Sequence, residues 1–123
     1  MEQQVDIEMR AWLMICAMSK NPPGIFGRKR AEKELKEHIE VLNKGDQQAF
    51  AERYVKLCLK SRSYGSTLMN LVPLSEGATI EKLKKEIDVV TRDYPSYFGL
   101  DDACAALRTV MHEAVDRMCT TGV

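Results

Sequence analysis

Three consecutive cations, Arg28, Lys29 and Arg30, follow Gly27 at the point where the sequence predicts the start of a helix. The first turn of a helix has backbone N–H groups without intrahelical acceptors and carries a partial positive charge. Cations do not stabilise a helix at this position, so their presence favours an anionic ligand. The run therefore predicts a phosphate or carboxylate held jointly by amide and guanidinium groups.

A second set of cations lies on the predicted third helix. Arg53, Lys56 and Lys60 repeat at spacings of three and four residues, so they share one helix face, and Arg62 follows. If the second and third helices form a hairpin, the first basic run meets Lys60 and Arg62 at one end of it. The two clusters then form a single anion-binding patch.

Two interpretations of this patch stay open. Charged runs on helices are commonly solvated faces that hold no ligand. A binding patch would take a nucleic-acid phosphate, the headgroups of acidic lipids or an acidic protein partner. The salt dependence of polyanion binding would separate these alternatives.

Apolar residues near the basic run predict a contact surface. Met14 and Met18 lie on the first helix, which is apolar over much of its circumference, and methionine adapts to irregular surfaces. Ile25 and Phe26 lie in a loop with two prolines and a glycine, directly before the basic run. The helical stripes predict that most of the seven methionines fill the core, and the alternative for Met14 and Met18 is an interface with a protein partner or a second copy of the chain. The Ile25–Phe26 pair has three possible sites, namely the core, a partner's groove or a membrane surface.

The residues needed for catalysis or metal binding do not form a recognisable motif. The two histidines, His38 and His112, belong to different predicted helices, and neither has the spacing of a zinc site. The sequence has no GxSxG motif and no Walker-type or dinucleotide-binding glycine pattern. We therefore expect no enzymatic activity, no cofactor and no metal.

Composition and cysteine usage favour an intracellular protein. Lys plus Arg and Asp plus Glu number 18 each, so the net charge of zero argues against a globally basic nucleic-acid-binding protein. Cys16, Cys58, Cys104 and Cys119 lie in apolar helical patterns without a CxxC, which predicts reduced, buried thiols. The first residues do not resemble a secretory signal, and no apolar stretch approaches the roughly 20 residues that span a bilayer.

Apolar residues recur at helical spacing through most of the chain, which predicts an all-α single domain of five to six helices over residues 1–123. Helices are expected at about residues 2–18, 27–42, 47–60, 80–91 and 100–120, with a short helix favoured over an extended segment at 67–72. Turns or loops are expected at residues 61–65, 75–78 and 93–99. Gly45 is predicted to end the second helix in a left-handed conformation, with Asp46 and Thr79 as N-caps.

The helical stripes also predict the core and limit the function. The residues expected to be mostly buried are Trp12, Leu35, Phe50, Leu57, Leu83, Ile87, Leu107 and Val110. The functional hypothesis is a non-catalytic helical binding or assembly module whose basic patch takes a phosphate-bearing ligand such as RNA or acidic lipid. The alternative is a protein–protein adaptor that binds no nucleic acid. Small viral matrix and accessory proteins share this size and helical class, an analogy that extends no further.

Overall fold

The helices of the computed structural model follow the apolar stripes of the sequence. The structure describes the backbone of residues 2–64 and 76–120 and the side chains of residues 6–58 and 80–118. Its elements are α1 (Glu2–Lys20), a 3₁₀ turn (Ile25–Gly27), α2 (Arg28–Lys44), α3 (Gln47–Tyr64), α4 (Glu76–Asp88), a π turn (Val89–Asp93), α5 (Tyr94–Ser96), a second 3₁₀ turn (Asp102–Cys104) and α6 (Ala105–Thr120). No β-strand occurs in the two described ranges, and the all-α prediction is confirmed.

Three aromatic side chains join α1 to α3 at the centre of the core. The Trp12 ring centroid lies 5.9 Å from that of Phe50 and 5.3 Å from that of Tyr54, and all three side chains are buried. The Trp12–Tyr54 pair is edge to face, an arrangement that aligns the positive ring edge with the negative ring face. α6 packs against the same helix α3 and contributes the buried Leu107 and Met111.

The remaining contacts arrange the helices around α1 and α6. α1 packs against α2 and α3, whereas α6 packs against α3 and α4. α2 buries its regular stripe of Ala31, Leu35, Ile39 and Leu42 and exposes a charged face. Among the described residues, α2 packs mainly against α1 and α3 mainly against α6. In this part of the chain, the helices α2 and α3 do not pack along each other. The hairpin of the second and third helices, which was the condition for a single basic patch, is therefore not formed.

Several element boundaries differ from the sequence prediction. α3 continues to Tyr64 through most of the predicted turn, and α4 begins at Glu76, so Thr79 lies inside a helix and is not its cap. Turn-forming residues are tolerated inside helices at a modest cost that tertiary packing offsets. The start of α3 does match, because the Ala49 N–H donates to the Asp46 carboxylate over 3.1 Å. The predicted short helix at 67–72 lies outside the described residues.

The predicted core is largely confirmed. The buried members are Trp12, Leu35, Phe50, Leu83, Ile87 and Leu107. Val110 and Leu57 are partly exposed, and Val110 packs against the edge of the core. On α3 the buried stripe consists of Phe50, Ala51, Tyr54, Val55 and Cys58, which places Leu57 at its margin.

Gly45 occupies the α2–α3 connection for a reason that the sequence does not show. Its φ of −89° and ψ of −174° are extended backbone, so the predicted left-handed conformation is wrong. A Cβ added at Gly45 would instead collide with the carboxyl group of Glu8, which is fully buried. The connection approaches α1 so closely at this point that only a hydrogen fits. Gly99 is the described glycine with a positive φ, at 72°.

We expect Gly45→Ala to destabilise the protein by about 1–3 kcal/mol, because the added methyl group forces a buried side chain from its position. Gly24→Ala is the matched control, since an added Cβ there meets nothing within 4 Å and the φ of −71° suits alanine. The control should change stability by less than about 0.5 kcal/mol. Urea denaturation measures both variants, and equal stabilities would contradict the close approach to Glu8.

We expect Leu107→Ala to cost about 2–5 kcal/mol of unfolding free energy, because the side chain is fully buried between packed helices. Leu57→Ala removes the same atoms from a partly exposed position and should cost clearly less. Chemical denaturation of both variants tests the assignment. A loss below roughly half a kcal/mol for Leu107→Ala would show that this face of α6 is not in the core.

Candidate anionic-ligand site

The segment before the basic run leaves the core as a short apolar protrusion. α1 ends ahead of Pro22 and Pro23, which disfavour continuation of the helix. The 3₁₀ turn that follows buries none of its residues: Ile25 is 88% exposed and Phe26 is fully exposed. The Ile25–Phe26 pair therefore does not fold back onto the core, and this alternative from the sequence is excluded.

The same 3₁₀ turn supplies hydrogen-bond acceptors for backbone amides at the start of α2. The Gly27 N–H donates to the Gly24 carbonyl over 3.1 Å, and the Arg28 N–H donates to the Ile25 carbonyl. These amides already have acceptors, because the 3₁₀ turn extends the helical path ahead of α2. The prediction of spare amides at Arg28 is therefore wrong, and an anion here would depend mainly on the cationic side chains.

A π turn positions the aromatic residues that face this protrusion. Pro95 lacks an N–H, so it cannot donate to the Thr91 carbonyl four residues earlier, and its ring crowds that carbonyl. The preceding helix widens, and the Tyr94 N–H donates to the Val89 carbonyl, five residues back. Arg108 on α6 occupies the freed Thr91 carbonyl through a 3.3 Å hydrogen bond.

The helical path then ends in a Schellman motif at Gly99. The Leu100 N–H donates to the Pro95 carbonyl over 2.8 Å, and the Gly99 N–H donates to the Ser96 carbonyl over 3.0 Å. Gly99 takes the left-handed conformation that this motif requires. The π turn and this motif together hold Tyr97 and Phe98 beside the start of α2.

Arg28 connects the two segments. Its guanidinium carbon lies 4.8 Å from the Tyr97 ring centroid and 5.7 Å from that of Phe98, both within cation–π range. Its Nη2 donates to the Tyr97 carbonyl over 3.3 Å. The guanidinium is therefore oriented by contacts with residues far along the chain, and its remaining N–H groups are available to an anion.

A cavity of about 510 Å³ lies between the protrusion and the aromatic turn. Its walls are mainly apolar, and its two charged lining residues are Arg28 and Asp93. Asp93 is paired with Arg92, whose Nε lies 3.2 Å from Oδ1. Cavities of this size and character take small ligands or side chains of a partner.

The structure separates the predicted cations. Arg28 lies against the aromatic turn, Lys29 is exposed, and Arg30 pairs with Glu34 through an Nε–Oε1 distance of 3.1 Å. Elsewhere, Arg53 pairs with Asp6 on α1 over 2.7 Å. Lys56 is exposed on α3, and the side chains of Lys60 and Arg62 lie outside the described residues. The described cations therefore form two separate groups on helices that do not pack together.

The predicted interface residues also divide. Met14 is 45% exposed on α1, in agreement with a surface role, whereas Met18 is partly buried and packs against the core. The prediction for Met18 as an interface residue is therefore not supported by its packing. Ile25 and Phe26 are exposed beside Arg28, and we call Ile25, Phe26, Arg28, Lys29 and Arg30 the basic corner.

Sequence reasoning misses two features beside the basic corner: the contact of Arg28 with the aromatic residues, and the π turn that positions those residues. The sequence predicts a loop at residues 93–99, but the contact of Arg28 with Tyr97 joins residues 69 positions apart. The spacing of residues along the chain carries no signal for this contact. The Tyr94-Pro95 pair following a helical stripe is the one local signal of the widened turn.

A histidine–carboxylate pair braces α4 against α6 outside this corner. His112 Nε2 lies 2.9 Å from Asp88 Oδ1, and Arg92 Nη2 lies 3.8 Å from Asp88 Oδ2. Both side chains are partly buried, with Asp88 directly before the π turn and His112 on α6. In the part of the chain that the structure describes, no group of three or more His, Cys, Asp or Glu side chains has the arrangement of a metal site.

The described cysteines agree with the prediction of free, buried thiols. Cys16, Cys58 and Cys104 are buried and form no disulfide among the described residues, and the Cys119 side chain lies outside the described residues. Burial raises the pKa of the Cys16 thiol strongly and that of the Cys104 thiol to about 11, the latter against the opposing effect of Arg108. Such thiols are mostly protonated near neutral pH and are poor nucleophiles.

The fold and this corner define a small all-α protein with an exposed apolar and cationic surface. No described helix is long and apolar enough to cross a lipid bilayer. The chain belongs to DUF6553, a family of unknown function whose family model matches residues 1–121. No curated protein and no solved structure matches the chain.

The raised pKa of Cys104 predicts the direction of an alkaline effect on stability. The folded state favours the protonated thiol, so this contribution is complete below about pH 9 and is lost as the pH rises through about 11. Urea denaturation between these values should show falling stability. Burial also raises the pKa of Tyr54 and of Tyr94, so Cys104→Ala isolates the thiol and should make the decline shallower. An unchanged slope in this variant would contradict the assignment.

Proposed function

We propose that this protein is a non-catalytic helical binding module that takes a phosphate-bearing ligand at the basic corner. The observation that carries the proposal is the exposure of Arg28, Lys29 and Arg30 directly beside the apolar Ile25–Phe26 protrusion. Three adjacent cations attract phosphate groups. An Arg guanidinium can bind a phosphate through two parallel hydrogen bonds.

The charges around the corner support this proposal. Arg30 and Glu34 form an ion pair whose side chains are exposed, and such pairs contribute little and yield to a more highly charged partner. Lys29 makes no ion pair with a described residue. The Arg28 guanidinium is already oriented by two aromatic rings, which lowers the entropy lost when it binds an anion.

The cations on α3 are a separate part of the prediction. Arg53 faces Asp6, and α3 packs on α6 away from α2, so Arg53 and Lys56 do not extend the basic corner. Contributions of Lys60 and Arg62 to ligand binding stay predictions. The proposal therefore rests on the cations of α2 alone.

A second candidate function has its own supporting observation. Ile7 and Met14 are 47% and 45% exposed on α1, and their spacing of seven residues places them on one face of that helix. Such a stripe fits a protein partner or a second copy of the chain, as in the adaptor hypothesis. Association through this face would be insensitive to salt. An intracellular location remains part of either proposal.

We expect the combined change of Arg28, Lys29 and Arg30 to Ala to weaken binding of a labelled short RNA and of anionic vesicles. The variant should release fewer counterions, so the slope of log affinity against log salt should fall by about two for single-stranded RNA if all three cations contact phosphates. The fold should be retained, since cations at a helix start do not stabilise it.

The matched control changes Arg10, Lys82 and Lys85 to Ala, which removes the same charge from exposed positions on α1 and α4. The control should keep most of the affinity. Fluorescence anisotropy for RNA and co-sedimentation for vesicles measure both variants. Equal losses of affinity in the two triple variants would show that binding depends only on net charge. Unchanged binding of the Arg28, Lys29 and Arg30 variant at low salt would favour the adaptor hypothesis.

A further inference from the structure

We infer that the basic corner docks on the surface of an anionic lipid bilayer, with Ile25 and Phe26 inserted at the boundary of headgroups and acyl chains. Arg28, Lys29 and Arg30 would then contact lipid phosphates. This inference rests on the proposed function and names the source of the phosphate. The phosphates are those of a lipid bilayer, and binding of RNA in place of lipid is one of the outcomes that the test distinguishes.

The protrusion has the form of an insertion element. Ile25 and Phe26 are adjacent, strongly exposed and placed on a turn whose residues make no contribution to the core. Gly27 lies close to Pro23, since an added Cβ there would be 3.3 Å from the Pro23 Cβ, so the turn is tightly folded. The two side chains therefore enter an apolar phase as a unit, without unfolding any packed element.

The distance between the apolar and cationic groups suits a bilayer surface. Arg28, Lys29 and Arg30 follow within one helical turn, which places their backbone roughly 5 Å from that of the protrusion. Interfacial elements bury apolar side chains to about 5–10 Å while their cations stay among the headgroups. The exposed Tyr97 ring, stacked on Arg28, has the amphipathic character found at this depth.

The acidic residues near the corner are neutralised by neighbours. Glu34 pairs with Arg30 over 3.1 Å, Glu32 pairs with Lys36 over 3.2 Å, and Asp93 pairs with Arg92 over 3.2 Å. Lys29 and Lys33 remain exposed on the same helix. The surface that would face the bilayer therefore carries a net positive charge, which complements anionic headgroups.

The apolar residues favour lipid over nucleic acid. Single-stranded nucleic acids stack their bases on aromatic or guanidinium planes and follow a groove lined with cations. Of the two protruding side chains only Phe26 offers a π face, and Ile25 offers neither a π face nor a hydrogen bond. The Arg28 guanidinium already lies against the Tyr97 and Phe98 rings, and the α3 cations lie on a helix that does not pack against α2.

The test uses the full chain with vesicles of phosphatidylcholine alone and of phosphatidylcholine mixed with phosphatidylserine. Wild type should co-sediment with the mixed vesicles and only weakly with the neutral ones. The double change Ile25→Ser and Phe26→Ser should reduce partitioning about tenfold or more. The control, Ala106→Ser with Thr109→Ser, changes two exposed positions on α6, outside the basic corner and the Ile7–Met14 face, and should partition as wild type does.

Phe26→Trp gives an independent spectroscopic readout of insertion. Trp12 is the only other tryptophan and is fully buried, so its emission should not respond to vesicles. Emission of the new indole should shift to shorter wavelength with mixed vesicles. Vesicle binding that is unaffected by the two serine substitutions, with no spectral shift, would overturn the inference.

The outcomes also separate this inference from the proposed function. Binding of RNA that depends on Arg28, Lys29 and Arg30, without binding of vesicles, would overturn the lipid assignment and leave the proposed function intact. Absence of binding to both RNA and mixed vesicles at low salt would overturn both. Binding of both, with only vesicle binding sensitive to Ile25 and Phe26, would support the inference.

Discussion

The packing of Trp12 against Phe50 and Tyr54 is the constraint on which the arrangement of this fold depends. It fixes α1 against α3, and each of these helices then packs a different neighbour: α1 holds α2, and α3 holds α6. Because α1 and α2 are joined by the Pro22–Gly27 segment, this packing also determines where that segment leaves the core. The exposed corner thus follows a helix whose position the interior aromatic packing fixes.

The corner itself depends on a second constraint, supplied by a residue that cannot donate a hydrogen bond. Pro95 forces the backbone into the π turn, and the side chain of Arg108 compensates for the lost interaction at the Thr91 carbonyl. The aromatic turn that follows carries the rings against which Arg28 rests. The π turn that follows α4 therefore positions the rings that orient Arg28 at the start of α2.

The sequence predicted what is encoded locally. The stripe of α2 and the Asp46 cap follow from residue spacing within a few positions, and both are present. Gly45 was assigned the wrong role because the reason for it is Glu8, on a different helix. The hairpin that would unite the two basic clusters failed for a similar reason: helix amphipathicity specifies which face is buried, but not which helix covers it.

The π turn also acts as a phase shift in the helical register. Successive residues of an α-helix are rotated by about 100° about its axis, so one additional residue in a turn rotates everything downstream by that amount. The direction in which Tyr97 and Phe98 point is therefore determined by the number of residues between Asp88 and Pro95. A family member with one residue fewer in this interval would keep the same aromatic sequence and direct it away from α2. If the corner is under selection, family members should therefore conserve the number of residues between Asp88 and Pro95 more strictly than the identity of those residues.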